Sequence, residues 1–241
     1  MRIAVISDIH GNFDALTAVL DDVDKSRVEK VVCLGDCIGY GAEPERVIRT
    51  LNERGIPSTL GNHEQAVLEP ERLAWFNPVA KESLIKTVTM LSEETLRIIE
   101  CFPNALVTHG CRLVHGFPPD SVTTYSFELS PDDKRQVLDN LAERVCFFGH
   151  THDLSMIAYD GHTLTEAPLD PEPVALLPDH RYAINVGSVG QPRDGNNNAK
   201  YVIWDGDSAT LDVHFVAYDI AAAADKIIAA GLPEVHAKRL W

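Results

Sequence analysis

Four short apolar runs in this chain each stop at a phrase crowded with aspartate, histidine and glycine. The phrases are SDIHG at 7–11, LGDCIGYG at 34–41, LGNHE at 60–64 and FFGHTHD at 147–153. A short apolar run bounded by turn residues reads as a buried strand, so each phrase falls at the carboxyl end of a strand. Open α/β sheets build their sites along that edge. No other feature of the sequence constrains the fold as strongly.

The surrounding pattern agrees. Residues 2–7 and 30–34, rich in Val and Ile, read as strands. Leu16, Val19, Leu20 and Val23 recur at helical spacing after the first, and Val47, Ile48 and Leu51 after the second. Glu43 and Pro44 suit the first turn of that second helix. A further strand near 58–60 makes the order strand–helix–strand–helix–strand, which predicts a sheet with parallel strands. Residues 70–102 read as helical, with Ser92 as a cap and Pro103 as a stop. Residues 104–115 read as two strands joined at a glycine turn, and Ser130-Pro131 opens another helix.

After Phe148 the texture changes to short apolar-rich runs at 154–159, 163–166, 181–186, 201–204 and 210–216. Asp160-Gly161 and Asp205-Gly206 supply hairpin turns, so this half is expected to be mostly antiparallel, with a closing helix near 219–230. The stretch 168–178 reads as a Pro-rich loop. With no linker or repeat, residues 1–241 read as one domain.

Bulk properties exclude several functions. The chain is 45% hydrophobic and 24% charged, as soluble domains are. No apolar run approaches the roughly 18 residues needed to span a bilayer. MRIAVISDIHG is a poor signal peptide, so a cytoplasmic protein is expected. Five cysteines without a CxxC pair read as reduced, mostly buried thiols. A net charge of −15 excludes a grip on long nucleic acid, which needs basic surface. An anionic substrate would have to be drawn in locally, by metal ions or a placed arginine.

The polar phrases supply such a centre. Asp8 and His10 are separated by one residue, as are His150 and His152, so each pair projects to one side of an extended chain. Gly11 and Gly149 let the backbone turn beside them. Two Asp, several His and one Asn suit manganese, iron, zinc or cobalt better than magnesium or calcium. The donors are too many for one ion, and two ions sharing a carboxylate would use them all. The segment ALVTHGCRLVHG, 105–116, offers two histidines, each after an apolar run and before glycine. A hairpin turning at Gly110-Cys111 sets His109 opposite Arg112, with His115 about 10 Å further along, so only one reaches the centre. The local pattern favours neither.

Together, Asp8-x-His10, Gly35-Asp36, Gly61-Asn62-His63-Glu64, His115-Gly116 and Gly149-His150-Thr151-His152 resemble the signature of the calcineurin-like metallophosphoesterases. GSVGQPRDG, 187–195, resembles a segment of their small bacterial and archaeal phosphodiesterase branch. The resemblance implies an α/β fold, a four-layer αββα sandwich of two mixed sheets flanked by helices. It implies that Asp8, His10, Asp36 and His152 hold one ion and that Asp36, Asn62, His115 and His150 hold the other. His63 would face the substrate and protonate the leaving oxygen while a hydroxide between the ions attacks phosphorus. Some relatives use a Thr-His-Gly, but GFPPDSVTTY after His115 resembles the loop behind the ligand histidine, which makes His109 a turn residue.

Arg193 is the candidate phosphate clamp, with a salt bridge to Asp194 as the plain alternative, and Tyr40 is a candidate pocket wall. The protein Ser/Thr phosphatases follow Gly-Asp with a phosphate-binding arginine. Here Cys37-Ile38-Gly39-Tyr40-Gly41 follows, which argues against protein phosphatase activity. The expected function is hydrolysis of a small phosphoester with two divalent transition-metal ions, manganese first and iron, zinc, cobalt or nickel after it. No membrane or long nucleic acid is expected as a partner, and oligomeric state is not legible. The alternatives are a diadenosine polyphosphate hydrolase and a noncatalytic metal-binding scaffold of the same fold, which lacks the histidine present here as His63.

Overall fold

The computed structural model describes residues 1–241. Its strands are β1 (Arg2–Ile6), β2 (Lys30–Cys33), β3 (Ala105–Thr108), β4 (Cys111–Val114), β5 (Val145–Phe148) and β6 (Leu154–Tyr159). They continue with β7 (Leu164–Pro168), β8 (Val174–Ala175), β9 (Arg181–Val186), β10 (Ala199–Asp205) and β11 (Thr210–Val216). The helices are α1 (Phe13–Val23), α2 (Pro44–Glu53), α3 (Asn62–Leu68) and α4 (Pro78–Val88), then α5 (Glu93–Ile99), α6 (Pro131–Asn140), α7 (Ile220–Ala229) and α8 (Glu234–Lys238). One sheet has the order β2-β1-β10-β11-β8 and the other β3-β4-β5-β9-β6-β7.

Alternation along β1 shows how the layers form. Ala4 and Ile6 face α1 and α2, in a core completed by Leu16, Val19, Val47 and Ile48. Ile3 and Val5 face the second sheet and pack with Leu113, Phe147 and Ile184. Both faces are buried, which is why β1 reads as an unbroken apolar run. On the far side of the second sheet, Val114, Cys146 and Phe148 pack against Leu138 of α6. The result is a four-layer αββα sandwich, as expected.

Both sheets are mixed. β1 and β2 are parallel, and so are β4, β5 and β9, which brings the carboxyl ends of β4 and β5 to one edge. The second half is mostly antiparallel, as expected, in the pairs β6–β7, β6–β9, β10–β11 and β11–β8, and the β5–β9 pair is its parallel exception. The strand expected near 58–60 is a single parallel bridge from Ser58 to Cys33. The loop at 168–178 contains β8, which pairs with β11. The β3–β4 hairpin turns one residue earlier than expected, with Thr108 opposite Cys111 and Val107 opposite Arg112. His109 and Gly110 occupy the turn with φ of 55° and 72°. A two-residue turn with both φ positive matches strand twist, and glycine there takes the harder position. Ser92 and Ser130 cap α5 and α6 as read, by accepting from Thr95 N and Asp133 N.

Candidate metal centre and active site

The polar phrases leave the strands and are tied to one another by backbone hydrogen bonds. Asp8 N donates to Gly35 O at 3.1 Å, His10 N to Asp36 O at 2.8 Å and Gly11 N to Cys37 O at 2.8 Å. Asp8, His10, Asp36, Tyr40, His150 and His152 all have positive φ, between 49° and 69°. The chain there is therefore not extended, which corrects the reason given for the D-x-H and H-x-H spacing. Alternate residues step into the left-handed region, and the strain of six such residues collects where function needs exact aim. Gly149 serves by close approach instead of by a left-handed turn: a Cβ there would overlap Ser7 and Asp8.

Asp8, His10, Asp36, Asn62, His115, His150 and His152 converge in two groups. In one, Asp8 Oδ1 lies 3.3 Å from His152 Nε2 and 3.8 Å from His10 Nε2, and the two Nε2 atoms are 3.0 Å apart. In the other, His115 Nε2 lies 3.1 Å from Asn62 Oδ1, 3.1 Å from His150 Nδ1 and 3.3 Å from Asp36 Oδ2. Asp36 Oδ2 is also 3.7 Å from His10 Nε2. Asp36 Oδ1 is turned away and accepts from His63 N at 2.9 Å.

Hydrogen bonds at the far side of each ring decide what the facing nitrogens can be. His10 Nδ1 donates to Ile38 O at 3.0 Å, His115 Nδ1 to Leu34 O at 2.9 Å, His152 Nδ1 to Gln191 O at 2.6 Å and His150 Nε2 to Thr123 O at 3.1 Å. A carbonyl only accepts, so each neutral ring turns a lone pair inward. Lone pairs about 3 Å apart repel unless a cation lies among them, and Asp8 Oδ1 is buried with no hydrogen-bond partner at all. Such anchoring of the outer nitrogen is how proteins orient metal-binding imidazoles. The donor set therefore fits divalent cations.

The only other cation available is a proton. Burial lowers His10 well below the usual histidine value and His150 to about 3. Burial also opposes charge on His115, but Asp36, with Asp8 behind it, outweighs that and holds the ring up at about 9. Without metal, the carboxylates thus keep one proton where Asp36, Asn62 and His150 converge.

His63 stands apart from those four rings. It forms a third potential donor group with His10 and Asp36, its Nε2 3.9 Å from Asp36 Oδ2. No carbonyl anchors its Nδ1, which is buried without a partner, and Gly39 gives it room because a Cβ there would overlap that atom. Burial lowers His63 to about 4, so the free ring is neutral. Tyr40 packs against His10 and His63, each at 4.5 Å between centroids, and burial raises its hydroxyl to about 12. Arg193 lines the same cleft of about 250 Å³. Asp194 pairs with Lys200 at 2.8 Å, so the plain alternative of an Arg193–Asp194 bridge is not what the structure holds. His109 is exposed at the opposite end of β4.

Several supporting residues carried no distinct signal. Glu64 accepts from Asp36 N at 2.8 Å, Gly61 N at 3.0 Å and Ile38 N at 3.1 Å, tying two loops to the start of α3. Burial, then Asp36, raises it to about 7. Ser188 donates to Asp8 O at 2.8 Å, and Asn185 donates to Gly149 O and Thr151 Oγ1, both at 2.8 Å. The segment 187–191 thus braces Asp8 and His152 from behind. Tyr125 stacks on His150 at 3.9 Å. Glu64 after Asn62-His63, and Asn185 two residues before Gly187-Ser188, were visible as neighbours of motifs, but their partners are remote in sequence.

The family model for the calcineurin-like phosphoesterase superfamily domain matches residues 1–209. The chain belongs to that superfamily. A metallophosphoesterase from Sphaerobacter thermophilus is 35% identical with a TM-score of 0.85, covering 100% of this chain and 98% of that one. An uncharacterised protein of Methanocaldococcus jannaschii is also 35% identical, over 99% of this chain and 97% of its own. A hypothetical protein from Pyrococcus horikoshii shares the fold, with a TM-score of 0.77 at 20% identity, over 100% and 97% of the two chains. As a member of this superfamily the chain is a metal-dependent phosphoric ester hydrolase of the small bacterial and archaeal branch. No helix is long and apolar enough to cross a membrane.

Proposed function

We propose that residues 1–241 act as one catalytic domain that hydrolyses a small phosphoester at two divalent cations sharing Asp36. One observation carries this reading: a single oxygen, Asp36 Oδ2, faces both donor groups, 3.3 Å from His115 Nε2 and 3.7 Å from His10 Nε2. In it, Asp8, His10, Asp36 and His152 hold one cation, and Asp36, Asn62, His115 and His150 hold the other. Manganese is the first choice for such mixed nitrogen and oxygen donors, with iron, zinc, cobalt and nickel after it. Bound there, the cations supply Lewis acidity, which acidifies water and offsets phosphate charge.

The chain's own residues do the rest. Arg193 offers its fork of donors to phosphate oxygens. Tyr40 walls the cleft beside His63 and fixes that ring's orientation. His63 directs an N–H at the ester oxygen that leaves and passes it a proton as the P–O bond breaks. Burial keeps the free ring neutral, and the negative charge of bound substrate raises its affinity for the proton it must carry.

Purified protein with added manganese is expected to hydrolyse bis(p-nitrophenyl) phosphate or p-nitrophenyl phosphate and to hold two metal equivalents by mass spectrometry. His63→Ala should slow turnover roughly 10²- to 10⁴-fold while keeping both metals. Loss of a metal in that variant would make His63 a ligand. Full occupancy without turnover on monoesters, diesters and dinucleotides would make the chain a binding scaffold.

A further inference from the structure

A carbonyl fixes each of the four ligand rings from behind, and none fixes His63. Its Nδ1 is buried without a partner, so the rings it touches set its aim. Phe76 meets it at 5.2 Å and 89°, His10 at 4.6 Å and 66°, and Tyr40 at 4.5 Å and 78°. Of these, Tyr40 is held from the far end of the chain. Its backbone N–H donates to Ser83 Oγ at 3.0 Å, which fixes the main chain but not the rotation of the ring.

His236 of α8 supplies that restraint. Its ring stacks on Tyr40 with centroids 4.5 Å apart and planes at 28°, and it is 1% exposed. Both ring nitrogens are buried without a hydrogen-bond partner, so the face of the ring makes the contact. Burial lowers His236 to about 4, which leaves the ring neutral. Stacked rings of this kind prefer a defined mutual orientation.

The support behind His236 is itself anchored. Ala224, Ile227, Leu232 and Leu240 form a small core against which Ala42, two residues after Tyr40, and Met90, just after α4, also pack. Lys226 of α7 lies 2.8 Å from Asp14, at the start of α1, and 2.8 Å from Glu43, just before α2. The last two helices therefore grip the exits of both loops, the one that carries His10 and the one that carries Tyr40.

We infer that His236 is a positioning residue: stacked on Tyr40, it fixes the ring that aims His63, so α7 and α8 govern how well the leaving oxygen is protonated. This rests on the reading of His63 as the acid and extends it to a residue that touches neither substrate nor metal ligand.

The test is steady-state kinetics of the manganese-loaded protein on two esters that differ in their need for a proton. Bis(p-nitrophenyl) phosphate releases a good leaving group, and diphenyl phosphate releases a poor one; the corresponding monoesters serve if the enzyme prefers them. His236→Ala should lower kcat about tenfold on the phenyl ester and about threefold or less on the p-nitrophenyl ester. KM should stay within about twofold, and both metals should remain by mass spectrometry. His236→Phe, which restores a ring without nitrogens, should return kcat to within about twofold of wild type. His236→Gln, polar and ringless, should behave as His236→Ala and carries the same expectation if the alanine variant does not fold. Equal losses on the two esters, a change confined to KM, loss of metal, or failure of phenylalanine to rescue would each overturn the inference.

His63→Ala, measured alongside, separates the two levels. A greater loss on the phenyl ester in His63→Ala but not in His236→Ala leaves the acid in place and sinks the role of His236. Equal losses on both esters in His63→Ala sink the acid reading, and the aiming of that acid by His236 falls with it.

Discussion

β4 is preceded by one His-Gly and followed by another, and the two ends of this four-residue strand have opposite environments. His109 and Gly110 form an exposed turn, and nothing lies within 4 Å of where a Gly110 Cβ would be. His115 is fully buried, and a Cβ on Gly116 would press on Ser121 O at 2.9 Å. The residues are the same; the end of the strand they occupy is not. β4 runs parallel to β5, with Leu113 opposite Phe147, so its carboxyl end arrives beside His150 while its amino end points to the other edge. A histidine becomes a candidate ligand through the edge its strand delivers it to.

The sharpest way to break this contrast is to remove what His115 faces. Asp36→Asn should cost on the order of 10³-fold in turnover of bis(p-nitrophenyl) phosphate, with loss of bound metal by mass spectrometry. If that variant keeps metal and rate, proximity to Asp36 does not distinguish the two ends. Next, His115→Ala should lose one metal equivalent and about 100-fold in rate, whereas His109→Ala should keep both metals and stay within about twofold. Equal losses in both variants would erase the distinction.

Acid–base behaviour sharpens it further. In metal-free protein His115 sits at about 9 against an ordinary 6.5, so the stability its proton provides is complete below about pH 6.5 and lost as pH rises through 9. His63 and His150, lowered to about 4 and 3, act oppositely and cost stability as pH falls below 6.5. The metal-free melting temperature should therefore peak near pH 6.5, and His115→Ala should flatten the alkaline side. The smallest effect concerns the glycines. Gly116→Ala should cost about 1–3 kcal/mol through crowding and Gly110→Ala about 1–2 kcal/mol through its φ of 72°. Only the first should also lower metal content, read by mass spectrometry on the manganese-loaded variants.

How much of this was legible follows the range of each interaction. The strands and the polar phrases are local patterns, so Asp8, His10, Asp36, Asn62 and His150 could be placed at one sheet edge from the sequence. The choice of His115 over His109 needed the resemblance, because spacing from glycine is identical. The six left-handed backbones left no mark, since Asp, His and Tyr carry no glycine-like signal for positive φ. Glu64 was in plain view as part of LGNHE, yet its three amide partners lie at 36, 38 and 61. The hairpin register slipped for a related reason: His in a left-handed turn is uncommon, and Gly110-Cys111 looked the more natural corner. Tyr125 ends the loop GFPPDSVTTY, yet nothing local marked its contact with the site, because its stacking partner is His150.

The neighbour of β1 within its sheet carries a consequence for biosynthesis. Arg2 pairs with Asp205 and Val5 with Val202, so the strand that launches Asp8 and His10 gains its second partner about 200 residues later. At roughly 5–20 residues per second, the ribosome takes about 10–40 s to deliver that partner. Throughout this interval the apolar edge of β1 stands open beside nascent chain, and once His152 is made all seven donor side chains exist before their frame does. The sheet around β1 thus closes only after β10 has been made, and a chaperone able to shield that edge has its task set by the topology.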